Sequence, residues 1–470
     1  MFQSSKVVLR PERESIAWRT RIAAFTSTRE ALWWVLSITL VTRASYALGA
    51  WLVTRDASVF FEQDTGSYLA PARELLDRGT FTVGGQPELQ RTPGYPLLLT
   101  AGLWLGALVP VTIAIQIALC VLTDLGVFVV TQRLTGNRRA AVLAAALYAF
   151  EPISIRQTAT LGTETLFTAS VVWALAAMIM YVRGASWRTL AVGTALLSIA
   201  TYVRPAGYYL PFALLVFLAV MAAMRREWRH LSHVALATAI AVAAVLPWHL
   251  RNQALGFRGF SAIAAVNMYF YNAAAVQAVR TGTPYADVQA ALGYRDGGIY
   301  LRHHPEQVTW RPGERFSYMR EEGVRVVTEH LPLYARIHAA GMFRAMFDPG
   351  ALSLLQPYHL YPAKSGVLSR IVSNGLVSGL REVLRTNAFA FSLLVVLGGI
   401  LLALYILALR GLLVDRRFLD PSALLLALTV AYFITIAGGP IAVGRFRHPA
   451  MPFVCALAAA AWRWGRTVDA

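Results

Sequence analysis

The feature that most constrains this chain is a succession of continuous apolar runs divided by short arginine-bearing loops. Several reach about 18 residues or more, enough to cross a hydrocarbon core of roughly 30 Å as α-helix. In lipid, backbone polar groups must be paired internally, so only helices and closed barrels span. A barrel would show alternating segments of about ten residues. The expected fold is therefore an all-α polytopic membrane protein. Composition agrees: 57% of residues are hydrophobic, 14% are charged and the mean hydropathy is +0.51. A soluble domain would carry roughly 25% charged residues.

The formal net charge is +18, from 43 Lys+Arg against 25 Asp+Glu. Its placement argues against nucleic-acid binding, because the basic residues cluster in short loops as the positive-inside rule requires. Ten spans fit, at 31–53, 111–131, 138–151, 161–182, 188–203, 206–224, 231–250, 387–409, 421–438 and 449–464. With the N-terminus inside, each inner loop is basic: Arg133/Arg138/Arg139, Arg183/Arg188, Arg225/Arg226/Arg229, Arg410/Arg416/Arg417 and Arg463/Arg466. Residues 94–109 are apolar but short, and counting them as a span would reverse every later loop. They are expected to form an interfacial helix. The first run, following a polar, basic lead, reads as an uncleaved signal-anchor. The two cysteines, Cys120 and Cys455, fall within apolar runs, which disfavours a disulfide framework or a Cys metal site.

The outer side then holds 54–110, a turn near 152–160, Arg204-Pro205, a large loop at 251–386 and the turn 439–448. Its first loop carries Glu62 and Asp64, then a short helix expected at 65–77 with Tyr68 and Ala72 on one face. Arg91 follows, ahead of Pro93 and Pro96. A guanidinium at headgroup level suits a lipid phosphate, which it binds through two oxygens at once; it also suits plain headgroup anchoring. Glu164 opens the fourth span, where it reads either as a capping acid at a helix N-terminus or as a second active-site acid facing Asp64. Glu151 before Pro152 is a weaker case of the same kind. Arg204, Arg445, Arg447 and His448 place further cations at outer span ends, against the charge bias, which points to an anionic ligand. Arg43 lies within the first run and is assigned no chemistry.

Together these residues resemble the type C (GT-C) membrane glycosyltransferases, notably the lipid A aminoarabinose transferases and protein O-mannosyltransferases. The resemblance is carried by Asp64 with Tyr68 and Ala72, by Arg91 with Pro93 and Pro96, by Glu164, and by Arg445-Phe446-Arg447-His448-Pro449. It covers residues 31–250 best. Thr65 stands where the family often has a second acid, Arg91 where lysine is common, and Glu164 where Asp is frequent. The resemblance implies a GT-C-like catalytic module at 1–250 with its first outer loop at 54–110. An extracytoplasmic helical subdomain at 251–386 and C-terminal transmembrane helices at 387–470 complete the expected division.

It further implies inverting transfer from a polyprenyl-phosphate sugar donor to an extracytoplasmic acceptor, whether lipid, glycan or protein. Asp64 is the expected general base, with Glu164 assisting. Arg91, Arg445 and Arg447 are expected to bind the donor phosphate, and Glu62, Tyr68, Arg204 and His448 the substrates. No cofactor is required, and a divalent cation between Asp64 and Glu164 is left open. The Arg- and Ala-rich, Lys-poor composition suggests a GC-rich bacterial genome, and hence the multi-pass inner membrane of a cell envelope. A transporter or lipid flippase, and a non-catalytic scaffold, are the competing classes.

Overall fold

In the computed structural model, residues 29–360 and 387–462 are described, with 377–378, 381 and 384–385 between them. The expectations at 1–28 and at Arg463 and Arg466 lie outside the described residues. Outside one two-stranded hairpin (Thr82–Val83 with Gln86–Pro87), the elements described are helices. Six are long and apolar enough to cross a membrane: Arg29–Thr54, Leu108–Thr135, Glu164–Val182, Pro205–Met224, Trp228–Ala254 and Ala388–Leu419. Pro421–Ile436 is a shorter apolar helix. The chain is a multi-pass α-helical membrane protein.

The expected spans at 138–151, 188–203 and 449–464 are helices of 12, 17 and 9 residues (Arg138–Ala149, Trp187–Val203 and Met451–Ala459). All three are packed among longer neighbours, so their ends are set by tertiary contacts rather than by a hydrocarbon thickness. The number of spans therefore stays an expectation. The segment 94–109 is a short helix, Gly94–Trp104, followed almost at once by Leu108–Thr135.

We label five elements that position the site: α1 (Thr65–Arg78), α2 (Gly94–Trp104), α3 (Pro152–Thr158), α4 (Glu164–Val182) and α5 (Trp187–Val203). Helix α4 is the central post, with Phe167, Val171, Val172, Leu175 and Met178 fully buried. Outward faces of the other long helices expose Trp33, Trp34, Leu40, Val395, Ile406 and similar side chains. Contiguous apolar exposure on that scale marks a surface that meets something other than water, here lipid.

Residues 251–360 form helices that include Asn267–Ala273 (a π-helical turn), Ala274–Thr281, Gly297–His303, Pro312–Glu329 and Leu331–Phe347, while most of 361–386, in the expected subdomain, lies outside the described residues. These residues have their own core of Phe257, Tyr269, Phe270, Tyr300 and Met319, joined by Leu89 from the first loop. That shared core ties the subdomain to the segment carrying Arg91.

Candidate active site

Asp64 occupies the N-cap position of α1, where an aspartate ordinarily accepts a hydrogen bond from the helix's first turn. Here its side chain makes no such bond. The carboxylate instead faces two arginines: Oδ1 accepts from Arg91 at 3.1 Å and Oδ2 from Arg445 at 2.9 Å. Thr65 fixes the loop. Its hydroxyl accepts from the Glu62 N–H at 2.9 Å and donates to the Leu161 carbonyl at 2.8 Å. The Leu161 N–H in turn donates to Phe60. These bonds hold residues 60–65 against the segment leading into α4, which places Glu62 and Asp64 beside Glu164.

Arg91 is held from three sides. It donates to Ser67 Oγ at 2.9 Å and to the Tyr68 hydroxyl at 3.0 Å, and its guanidinium lies 4.4 Å from the centre of the Tyr68 ring. Helix α2 starts immediately after it, and Gly94 is required there. A Cβ at that position would stand 2.7 Å from the Tyr202 carbonyl oxygen at the end of α5. That close approach brings Arg91 and Arg204 to the same end of the bundle.

Arg445 projects from the 3-10 segment Gly444–Ala450. It reaches Glu62 Oε2 at 2.5 Å as well as Asp64. Gly444 permits the turn, since a Cβ there would meet the Asp348 carboxylate at 2.7 Å. Glu164 pairs with Arg204 at 2.5 Å and is almost fully buried. The Phe446 ring lies between Arg204 and Arg445, at 5.6 and 5.4 Å. Three acids (Glu62, Asp64, Glu164) and three arginines (91, 204, 445) thus form one cluster.

The electrostatics follow from that geometry. Burial pushes the Asp64 carboxyl up, but Arg445 and Arg91 outweigh it and hold the pKa below the ordinary 3.8. Burial opposes the charge on Arg445, yet Glu164, Glu62 and Asp64 hold its pKa above the ordinary value. The Asp64 side chain is 39% exposed, so the cluster is open to solvent on one side.

Two expected site residues point elsewhere. Arg447, expected on the donor phosphate, is 2% exposed and binds Glu151 Oε1 at 3.3 Å together with the carbonyls of Ala345, Met346 and Asp348. His448, expected on substrate, is buried between the Tyr148 hydroxyl at 3.1 Å and Thr168 Oγ1 at 3.3 Å. Both terminal nitrogens of the Arg447 guanidinium are engaged by these interior acceptors, its buried Nε has no partner, and none of its hydrogen bonds goes to the cluster. Both residues anchor the turn that presents Arg445. Glu151 caps α3, accepting from the Ser154 N–H at 2.5 Å.

Arg156 and Tyr271 are additions that the sequence reading missed. Arg156 approaches Glu62 at 3.9 Å. It is a cation in an expected outer turn, so the argument applied to Arg204 and Arg445 would have found it. Tyr271, in the π-helical turn, lies near enough to Asp64 for the two to interact electrostatically. Nothing in the local sequence signalled that approach.

Both Asp64 oxygens and one Glu164 oxygen already face guanidinium groups. Among the described residues, no three His, Cys, Asp or Glu side chains gather where a metal ion could be held. Two depressions, of about 430 and about 290 Å³, are lined by residues outside the cluster. The first adjoins Arg251 and Phe81, and the second sits inside the 251–360 subdomain.

Residues 90–250 match the family model described as dolichyl-phosphate-mannose-protein mannosyltransferase. No curated protein matches the sequence. The fold is similar to that of an Archaeoglobus fulgidus oligosaccharyltransferase crystallised with a tethered acceptor peptide. Identity there is 15% and the TM-score 0.49, over 93% of this chain and 50% of that one. A structure of the archaeal oligosaccharyltransferase AglB from the same organism, with an inhibitory peptide and a dolichol-phosphate, gives 16% and 0.48 over 91% and 50%. ArnT from Cupriavidus metallidurans bound to undecaprenyl phosphate gives 17% and 0.38 over 89% and 76%. The chain spans about half the length of the oligosaccharyltransferases it matches. The family match, over residues 90–250, supports the GT-C resemblance.

Proposed function

We propose that this chain moves a sugar from a polyprenyl-phosphate donor to an acceptor hydroxyl by a single inverting displacement, with Asp64 as general base. The observation that carries the reading is the placement of one carboxylate between two guanidinium groups at a solvent-open end of the bundle. The donor phosphate binds Arg91 and Arg445. The acceptor oxygen attacks the anomeric carbon, and the bond from that carbon to the phosphate oxygen breaks. Its electron pair leaves on the lipid phosphate, whose second pKa is about 6 and which departs without an acid. The acceptor proton passes to Asp64. Glu164, oriented by Arg204, holds the acceptor.

The resting contacts have a consequence for timing. A carboxylate gripped by two arginines is a weak base. When the donor phosphate takes those arginines, Asp64 loses the charges that depress its pKa and becomes a better proton acceptor. Binding of the donor therefore prepares the base. The positive-inside bias of the arginine-rich short loops supports a reading in which the cluster faces the extracytoplasmic side of a bacterial inner membrane.

A transporter or flippase draws on one observation, a buried polar track at Arg43, Asp124, Glu151, Arg447 and His448. Those side chains are packed against one another and against backbone carbonyls, however, rather than lining a path. The deciding experiment reconstitutes the chain in vesicles with a radiolabelled polyprenyl-phosphate sugar and a membrane-extract acceptor. Asp64→Asn and Arg91→Ala are expected to abolish product while the protein still inserts and elutes as a folded species. Unimpaired turnover in both variants would refute the proposal. Movement of the labelled lipid between leaflets without covalent product would favour a flippase.

A further inference from the structure

The cavity of about 290 Å³ in the 251–360 subdomain plays no part in the chemistry above. Its wall combines ring faces with hydrogen-bonding groups: Tyr269, Tyr318 and His304 among the rings, and Gln277 and His303 among the polar groups. The rings are set by packing. His304 and Tyr318 meet edge-on at 5.1 Å, Trp310 backs Tyr318 at 6.1 Å, and Tyr300 backs His304 at 4.7 Å. The Tyr269 hydroxyl bonds His304 Nε2 at 3.3 Å. By contrast, no hydrogen bond among the described residues engages the side chains of Gln277 or His303 or the Tyr318 hydroxyl.

Charge narrows the ligand. Neither arginine nor lysine lines the cavity, so a phosphate or other anion has no counter-ion there. The acid present, Glu322, is taken by Arg325 at 2.5 and 2.8 Å. A neutral ligand with an apolar face and many hydroxyls satisfies both halves of the wall. Its C–H face covers aromatic rings, and its hydroxyls meet convergent polar groups, the usual makeup of a ligand pocket. The volume sits near the low end of such pockets, roughly 300 Å³, which suits a ligand of about one sugar ring. Tyr269, in the cavity wall, belongs to the same π-helical turn as Tyr271, whose hydroxyl feels the charge of Asp64. Such turns recur at functional sites.

We infer that this cavity is a saccharide subsite, holding a neutral sugar ring of a glycan acceptor whose reacting hydroxyl lies at Asp64. The assignment rests on the glycosyltransferase reading for the word acceptor, but binding can be measured without turnover. The test is saturation-transfer NMR on the full chain in nanodiscs, with methyl mannoside, methyl glucoside and methyl xyloside as probes. At least one probe is expected to receive saturation. Tyr318→Ala and Gln277→Ala are each expected to weaken its binding on the order of tenfold, with Tyr318→Phe in between. Asp64→Asn should bind the probe as the parent does while losing transfer. The proposal is overturned if none of the probes binds to folded protein, or if Gln277→Ala and Tyr318→Phe, the second of which keeps the ring in place, both bind unchanged. Probe binding accompanied by full turnover in Asp64→Asn would leave the saccharide site standing and remove the catalytic assignment instead.

Discussion

Two clusters of acids and arginines occupy this chain, and they share residue types but not circumstances. In the first, Glu62, Asp64 and Glu164 meet Arg91, Arg204 and Arg445 at an open end of the bundle. In the second, Glu151 and Arg447 pair deep in the interior, near Arg43 and Asp124. Arg43 there donates to the Ala149 carbonyl at 2.9 Å, Ser154 Oγ at 3.0 Å and Cys120 Sγ at 2.7 Å, and Asp124 accepts from Thr39. The difference teaches how to tell a site from a strut. An ion pair that a ligand can reach can exchange one partner for another. A desolvated pair packed out of a ligand's reach can only hold helices together.

The largest expected effect lies in the open cluster. Asp64→Asn is expected to lower kcat about a hundredfold to ten-thousandfold, the usual worth of a general base. Arg445→Ala should cost on the order of a hundred- to a thousandfold. Steady-state rates in vesicles check both, and neither variant should lower the unfolding temperature much. A large drop in stability would make the open cluster a second strut.

The interior pair should behave the other way. Arg447→Met alone leaves a buried carboxylate uncompensated and is expected to destabilise by about 3–5 kcal/mol. Combining it with Glu151→Gln, which keeps an acceptor for the Ser154 N–H, should recover most of that loss. Denaturation in detergent measures each variant. If the double variant is no more stable than the single one, the pair does not act as a unit.

A subtler contrast lies in pH dependence. Asp64 has a folded pKa below its ordinary 3.8. Its ion pairs therefore contribute stability above that ordinary value and lose it as pH falls through the depressed one. For catalysis, kcat/KM reports the free enzyme and kcat the complex. The acid limb of kcat/KM that belongs to Asp64 should fall below 3.8, while that of kcat should sit higher, once donor phosphate has taken the arginines. Identical limbs would remove the exchange of partners from the mechanism.

The smallest expected effect is that of chelation. Because guanidinium groups occupy the facing carboxylates, EDTA should change the rate by less than about twofold, well under the several kcal/mol a metal Lewis acid supplies. A rate abolished by EDTA and restored by a divalent cation would mean that the arginines yield those carboxylates to a metal.

Much of this was legible in the residues. The apolar runs gave the helices at 31–53, 111–131, 161–182 and 231–250 close to their observed bounds, because length and hydropathy decide whether a segment can span. The expected helix at 65–77 is Thr65–Arg78. Asp64, Arg91, Glu164, Arg204 and Arg445 stood out as charges at span ends, and the fold gathers all five. Arg447 stood out for the same reason and was misplaced. Tyr271 went unnoticed because its approach to Asp64 depends on how a subdomain some 200 residues downstream is seated on the bundle, a non-local relation that no sequence window contains.

What the sequence determined by itself was an inventory: helices that must lie in lipid, and charges too costly to stand at their ends without a reason. Which charges share a site was decided only by tertiary structure. Arg445 and Arg447 are two residues apart in one basic turn, and no propensity separates them. A 3-10 turn has 3.0 residues per turn, so side chains at i and i+2 point to different sides. One guanidinium therefore meets Asp64 and the other Glu151.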